Sequence, residues 1–160
     1  MTQSPYDLAA LPSFSTRLLW EALVDIAPRE DLGQSPLGAR GIIPITGGEF
    51  RGGPEFPDLH GTVLPGGADR QLLRADGAKE LDALYEMRVA DGTVLTIRNR
   101  VIIDETRPEK RYALSRVHVT APSGRWDFLN RRVILGTLQV ARPQYPGVII
   151  RAWEADADIP

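Results

Sequence analysis

Residues 79–103 read KELDALYEMRVADGTVLTIRNRVII, and the alternation of apolar and polar residues on both sides of Gly92 predicts a β-hairpin. With a two-residue loop, Tyr85 would face Arg98, which mixes apolar and charged side chains on one face. A three-residue loop that ends with Gly92 in the left-handed conformation places Tyr85 opposite Ile97 and separates the faces. We therefore predict the three-residue loop.

This register puts two polar side chains, Tyr85 and Asn99, on the apolar face of the hairpin. A buried amide or phenol without a partner costs about 1–3 kcal/mol. Two interpretations follow: these groups bond the backbone across the sheet, or they line a cavity and orient a small polar ligand. The other face carries Asp82 opposite Arg100, a solvated ion pair. Because the pattern does not decide which face lines an interior, Arg98 and Asn99 are both candidate ligand contacts.

Beyond the hairpin, 15 glycines and 13 prolines fall mostly between short apolar runs, which is typical of an all-β fold. We predict one barrel domain over residues 16–157, preceded by an N-terminal extension, 1–15. The predicted strands are 38–45, 59–64, 70–74, 79–89, 93–103, 111–120, 126–140 with a break near Asn130, and 148–154.

The first element, residues 15–26, fits two periods. A helix would present a stripe behind a Ser15 cap, whereas a strand would alternate through Trp20 and Val24. The local pattern favours a helix, while a strand would suit the β-rich context because it removes an exposed sheet edge. The helical stripe comprises Leu18, Leu19, Ala22, Leu23 and Ile26.

Composition excludes several classes of function. The net charge is -2 and basic residues do not cluster alone, so we expect no nucleic-acid partner. No cysteine is present, no basic apolar leader begins the chain, and no apolar run reaches the ~20 residues that span a bilayer. We expect a cytoplasmic protein that does not bind membranes. No phosphate-binding loop, dinucleotide fingerprint or metal-ligand spacing occurs, so we expect neither cofactor nor metal.

A few residues are candidates for chemistry. Asp69, after two glycines, either caps its loop or acts as an acid or base, and His118 is either a solvated strand residue or a general base. Trp126 and Asn130 share a face and suit a ring-bearing ligand, but they also fit a core edge with a turn-forming asparagine.

Taken together, several blocks resemble the domain-of-unknown-function 3237 family. The resemblance implies a lipocalin-like antiparallel barrel, closed or nearly closed, with an interior pocket; it implies a strand for the first segment and a homo-oligomer, but no reaction. Arg70, Leu84 and Phe128 stand where the family commonly has Trp, Arg and Trp. The blocks are 38–50, 61–69, 74–77, 81–85, 91–92, 98–100 and 128–130.

Within such a barrel, we expect the loop 65–69 to border one mouth and to place Asp69 and Gln71 there, with a turn at 44–48 on the same rim. Arg40, in the first matched block, is a further candidate ligand contact. The leading hypothesis is a barrel that binds a small aromatic, hydroxylated or carboxylated metabolite. The alternatives are a cofactor-independent isomerase, cyclase, dehydratase or lyase that uses Asp69 or His118, and an oligomerisation or partner-binding module.

Overall fold

The computed structural model describes residues 2, 4–7 and 10–159, and in this part of the chain ten strands form one antiparallel sheet. The predicted all-β fold is confirmed. Residues 1, 3, 8 and 9 of the predicted N-terminal extension, and Pro160, lie outside the described residues. The strands are β1 (Ser13–Ile26), β2 (Glu30–Ser35), β3 (Gly38–Gly52), β4 (Gly61–Val63), β5 (Gly67–Arg74), β6 (Lys79–Val89), β7 (Val94–Asp104), β8 (Tyr112–Thr120), β9 (Val133–Val140) and β10 (Gly147–Asp158).

The sheet closes on itself because β1 pairs with β10 on one edge and with β3 on the other. Two wall positions are each shared by consecutive strands. β4 and β5 follow one another between β3 and β6, and β2 continues beyond β1 along the edge of β3. In the described residues the wall is therefore a closed eight-stranded barrel, as predicted.

The hairpin of β6 and β7 has the predicted three-residue register. Tyr85 lies opposite Ile97, and the backbone N–H of Val89 donates to the carbonyl of Thr93 at 2.8 Å. Gly92 has φ of 93°, the left-handed conformation that the bulged loop needs.

The first element is a strand, so the helix that its local pattern favours is wrong and the strand that the resemblance implied is correct. The pairing of β1 with β10 shifts between Leu18 and Trp20, which is a β-bulge. Consequently Leu19 and Trp20 are both fully buried, although they are neighbours in the chain. The strand also carries apolar residues on its other face, the half-buried Leu18 and Leu23, and these residues completed the apparent helical stripe.

The predictions for 44–48 and 65–69 also need correction. Strand β3 runs without a turn through 44–48. Residues 64–66 leave the ladder midway along the wall, not at a mouth, because Val63 pairs with Met87 and Ala68 already pairs with Leu84. The chain must pass close to β6 here, since a Cβ on Gly67 would lie 2.5 Å from that of Tyr85. After this bulge, β5 resumes its alternation with Asp69 facing inward.

One end of the barrel is packed solid. The predicted break near Asn130 is a short 3-10 helix, Asp127–Arg131, which lies against this end with Leu129 buried. Side chains that are fully buried at this end include Leu19, Trp20, Leu59, Met87, Leu95 and Leu129.

No described helix is long and apolar enough to cross a membrane.

Candidate functional site

The other half of the barrel contains a cavity of about 340 Å³. It opens at the end where β6 and β8 begin and β9 ends, because the exposed members of its lining belong to these strand ends. Its wall is mainly aliphatic: Val24, Ile26, Ile43, Ile45, Leu81, Ala83, Val101, Ile103, Leu138, Val140, Val148 and Ile150.

The inner part of the cavity is polar. Asp69, Ala83 and Asn99 lie opposite one another across β5, β6 and β7, and all three face inward. Tyr85 lies two residues deeper on β6. Because alanine is small, the space between Asp69 and Asn99 is left open. We call Asp69, Tyr85 and Asn99 the floor of the cavity.

The floor presents polar atoms that have no hydrogen-bond partner among the described residues. They are the Tyr85 hydroxyl, Asn99 Oδ1 and Asp69 Oδ1, and Tyr85 and Asn99 are each 2% exposed. Trp20 Nε1 and Ser115 Oγ are also unpartnered in this part of the chain, but they do not line the cavity. Since each such atom costs about 1–3 kcal/mol, the three around this one opening are a concentration of unsatisfied polar groups that packing alone does not explain. The floor atoms of Tyr85 and Asn99 do not bond backbone across the sheet.

One of the two carboxyl oxygens of Asp69 is fixed by a hydrogen bond. Its Oδ2 accepts from Gln71 Nε2 at 2.9 Å, and Gln71 Oε1 accepts from Arg29 Nε at 3.3 Å. This arrangement leaves Oδ1 for the cavity. Burial raises the pKa of Asp69 above its ordinary value, while the bond from Gln71 opposes the shift. Burial also raises the pKa of Tyr85, so its phenol stays protonated and its O–H is available as a donor.

Cationic side chains surround the opening. Lys79, Arg111 and Arg142 line it, and all three are exposed. Arg111 Nε lies 2.9 Å from an oxygen of Glu105. Lys79 and Arg142 have no salt bridge within the described residues. We call Lys79, Arg111 and Arg142 the rim.

Three of the predicted site residues, Arg40, Arg98 and His118, are not brought to the cavity. They lie on the outer face of the barrel and are exposed. Arg98 binds Asp82 with two hydrogen bonds of 2.9 and 3.0 Å, whereas Arg100, the partner expected from the register, is 3.6 Å from the same carboxylate. The Arg98 bond lowers the pKa of Asp82.

Trp126 and Asn130 lie at the closed end and do not line the cavity. The indole N–H of Trp126 donates to Asp91 Oδ2 at 2.8 Å. Asn130 exchanges hydrogen bonds of 2.9 and 3.0 Å with the backbone of Ala121, so it holds a turn.

Of the nine predicted site residues, the structure gathers four around one cavity: Asp69, Gln71, Tyr85 and Asn99. Sequence reasoning missed the rim. In an antiparallel barrel, Lys79 at the start of one strand and Arg142 after the end of another lie at the same end. The positions of these residues relative to the predicted strands could therefore have indicated a cationic opening. Among the described residues no cluster of three or more metal-ligating side chains occurs.

With the geometry defined, comparison with known proteins identifies the family. The model of a protein family of unknown function, DUF3237, matches residues 14–155. The chain belongs to the DUF3237 family. This confirms the resemblance of the sequence blocks.

Relatives support the fold. A UPF0311 protein of Bradyrhizobium diazoefficiens is 34% identical over 91 residues, 57% of either chain. This chain thus spans only a little over half the length of that relative. A β-barrel-like protein from Acinetobacter baumannii superposes with TM-score 0.78 at 25% identity, over 92% of this chain and 99% of that one. An enzyme from Penicillium herquei has TM-score 0.69 at 20% identity, over 98% and 100%.

Proposed function

We propose that this DUF3237 protein binds a small organic molecule inside the barrel, with an oxygen-bearing end of the molecule at the floor. The observation that carries the proposal is the convergence of three polar atoms, from Asp69, Tyr85 and Asn99, that have no hydrogen-bond partner in the described chain, on a cavity whose wall is mainly aliphatic. Ligand sites characteristically combine apolar walls with a few placed polar groups.

The volume and the polar groups of the cavity support a proposal for the ligand class. An engineered apolar cavity of about 150 Å³ holds benzene, so a cavity of about 340 Å³ has room for a substituted ring. The Tyr85 hydroxyl donates to a ligand carbonyl or phenol oxygen, and Asn99 Oδ1 accepts from a ligand hydroxyl. These features favour a hydroxylated aromatic molecule.

A thermal-shift screen of hydroxylated aromatic compounds tests the proposal. At about 100 times its dissociation constant, a ligand adds about 2.7 kcal/mol, or roughly 5–10 °C in Tm. Ala83→Leu is the blocking variant because it fills the space between the floor residues, and the outward-facing Leu84→Ala is its control. Compounds that stabilise wild type and Leu84→Ala but not Ala83→Leu support binding in the cavity. A flat response, or equal shifts in all three proteins, would contradict it.

A second candidate function, acid–base catalysis without a cofactor, is favoured by the environment of Asp69. A carboxylate whose pKa is raised by burial is a stronger base than an exposed one, and the Tyr85 phenol beside it can stabilise a developing oxyanion. In this function, Asp69 Oδ1 takes a proton from a carbon next to a ligand carbonyl and returns it at another position. The same barrel architecture serves an enzyme in Penicillium herquei, a likeness that extends to the fold alone.

Deuterium incorporation into cavity-bound carbonyl compounds, followed by NMR, tests this catalytic function. Asp69→Asn should abolish incorporation while the compound still binds, and Tyr85→Phe should slow it. His118→Gln, on the outer face, is the control and should match wild type. Equal incorporation by Asp69→Asn and wild type would remove Asp69 from catalysis without affecting the binding proposal.

A cytoplasmic location and a homo-oligomer also remain predictions for this protein. Size-exclusion chromatography with light scattering would test the second, and a monomeric mass across concentrations would contradict it.

A further inference from the structure

We propose that the ligand is a monoanionic hydroxyaromatic carboxylate whose carboxylate lies at the rim, between Lys79 and Arg142, while its hydroxyl lies at the floor. This inference rests on the proposed binding function and assigns both the class and the orientation of the ligand.

The first argument is the distribution of charge along the cavity. All three Lys and Arg side chains that line it, within the described residues, belong to the rim. The guanidinium of Arg29 lies nearby, over Gly41, where a Cβ would be 2.2 Å from it. Only Arg111 of the rim residues has a salt-bridge partner in the described part of the chain, which leaves Lys79 and Arg142 for an incoming anion.

The second argument is that the floor disfavours a carboxylate. Its unpartnered atoms include two oxygens that accept, Asn99 Oδ1 and a carboxyl oxygen of Asp69. The cations that line the cavity in the described chain belong to the rim, and the Tyr85 hydroxyl is the one donor among the unpartnered floor atoms, so a carboxylate there would lose its hydration with little compensation. A neutral hydroxyl both donates and accepts, and it matches the floor.

The third argument is the spacing between the two ends. Ala83 and Lys79 are four residues apart on β6. At a rise of about 3.3 Å per residue and a strand tilt of about 40°, they are separated by about 10 Å along the barrel axis. A ring with a hydroxyl at one end and a carboxylate on a short spacer at the other can span this distance, with its ring against the aliphatic wall.

Isothermal titration with p-coumarate and its uncharged amide tests the inference. Both compounds carry the same phenol, and only one carries the charge. The double variant Lys79→Gln, Arg142→Gln removes two rim charges. The control Arg88→Gln, Arg116→Gln removes the same net charge from exposed positions on the outer face.

We expect p-coumarate to bind wild type and the control about five- to tenfold more tightly than it binds the rim variant, the effect of one or two exposed ion pairs. The amide should bind all three proteins within about twofold of one another. If the amide binds wild type as tightly as p-coumarate does, or if the control loses as much affinity as the rim variant, a carboxylate site at the rim is contradicted while binding in the cavity stands. If neither compound binds wild type, the inference and the proposed binding of hydroxyaromatic molecules fail together.

Discussion

The two halves of this barrel are built from the same strands but have opposite interiors. At the closed half, inward positions carry Leu95, Met87 and Trp20, which are fully buried and pack together. Further along β6, the inward position is Ala83, and its neighbours across the sheet are Asp69 and Asn99. The closed half therefore stabilises the fold through packing, and the open half has room and polarity for a ligand. At the level of Ala83, a small inward side chain between two polar ones makes the difference, while the alternation of the strand is unchanged.

The largest expected effect compares two leucines. Leu95→Ala at the closed half should lower the free energy of unfolding by about 2–5 kcal/mol, because it creates a cavity in packed surroundings. Leu81→Ala borders an existing cavity, so its cost should lie at or below about 2 kcal/mol, the low end of that range. Urea unfolding measures both values. Equal losses would mean that the two halves are packed alike.

A smaller effect, of opposite sign, is expected at the floor. Tyr85→Phe removes a buried hydroxyl that has no partner in the described chain, so the ligand-free variant should be more stable than wild type by about 1 kcal/mol. For comparison, Trp126→Phe at the closed half removes a donor that is bonded to Asp91 and should destabilise. Thermal and urea unfolding measure the stability of both variants. A destabilised Tyr85→Phe would contradict the prediction, because it would mean that the Tyr85 hydroxyl already has a hydrogen-bond partner.

The smallest effect depends on pH. Since burial raises the pKa of Asp69 in the folded state, folded protein binds more protons than unfolded protein, and stability falls as pH rises from about 4 through the raised pKa. Asp69→Asn lacks this titration, so its stability advantage over wild type should be larger at pH 7 than at pH 4. Asp156→Asn, exposed on β10, is the control. A constant difference across pH would contradict a shifted Asp69.

The fold could be predicted from sequence where the turn residues and the alternation of apolar residues indicate the same strand pairing. The register of the 79–103 hairpin follows from Gly92 and the separation of faces, and it placed Tyr85 and Asn99 together on the apolar face. The bulge at Leu18 to Trp20 could not be predicted, because it depends on pairing with β10, remote in the chain. Nor could the inner position of Asp69, since the path of 64–66 is set by contact with β6.

The site residues, too, could be predicted only as far as local patterns reach. Alternation on β7 excludes one of the adjacent residues Arg98 and Asn99 from the interior, but only closure of the sheet decides which of the two is excluded. Closure of the sheet likewise decides that His118 on β8 faces outward. The rim residues Lys79 and Arg142 are distant in sequence, and only the order of the strands around the barrel brings them to one opening.

The most direct test of a hollow half and a packed half is the same substitution in each. Ala83→Leu should leave the free energy of unfolding unchanged or raise it, because the cavity accommodates the added atoms. Ala152→Leu, at a fully buried position between Trp20 and Gly136, should lower it by about 1–3 kcal/mol through overpacking. Urea unfolding of the two variants beside wild type gives both numbers. A loss at Ala83 as large as that at Ala152 would contradict an open interior and with it the ligand site.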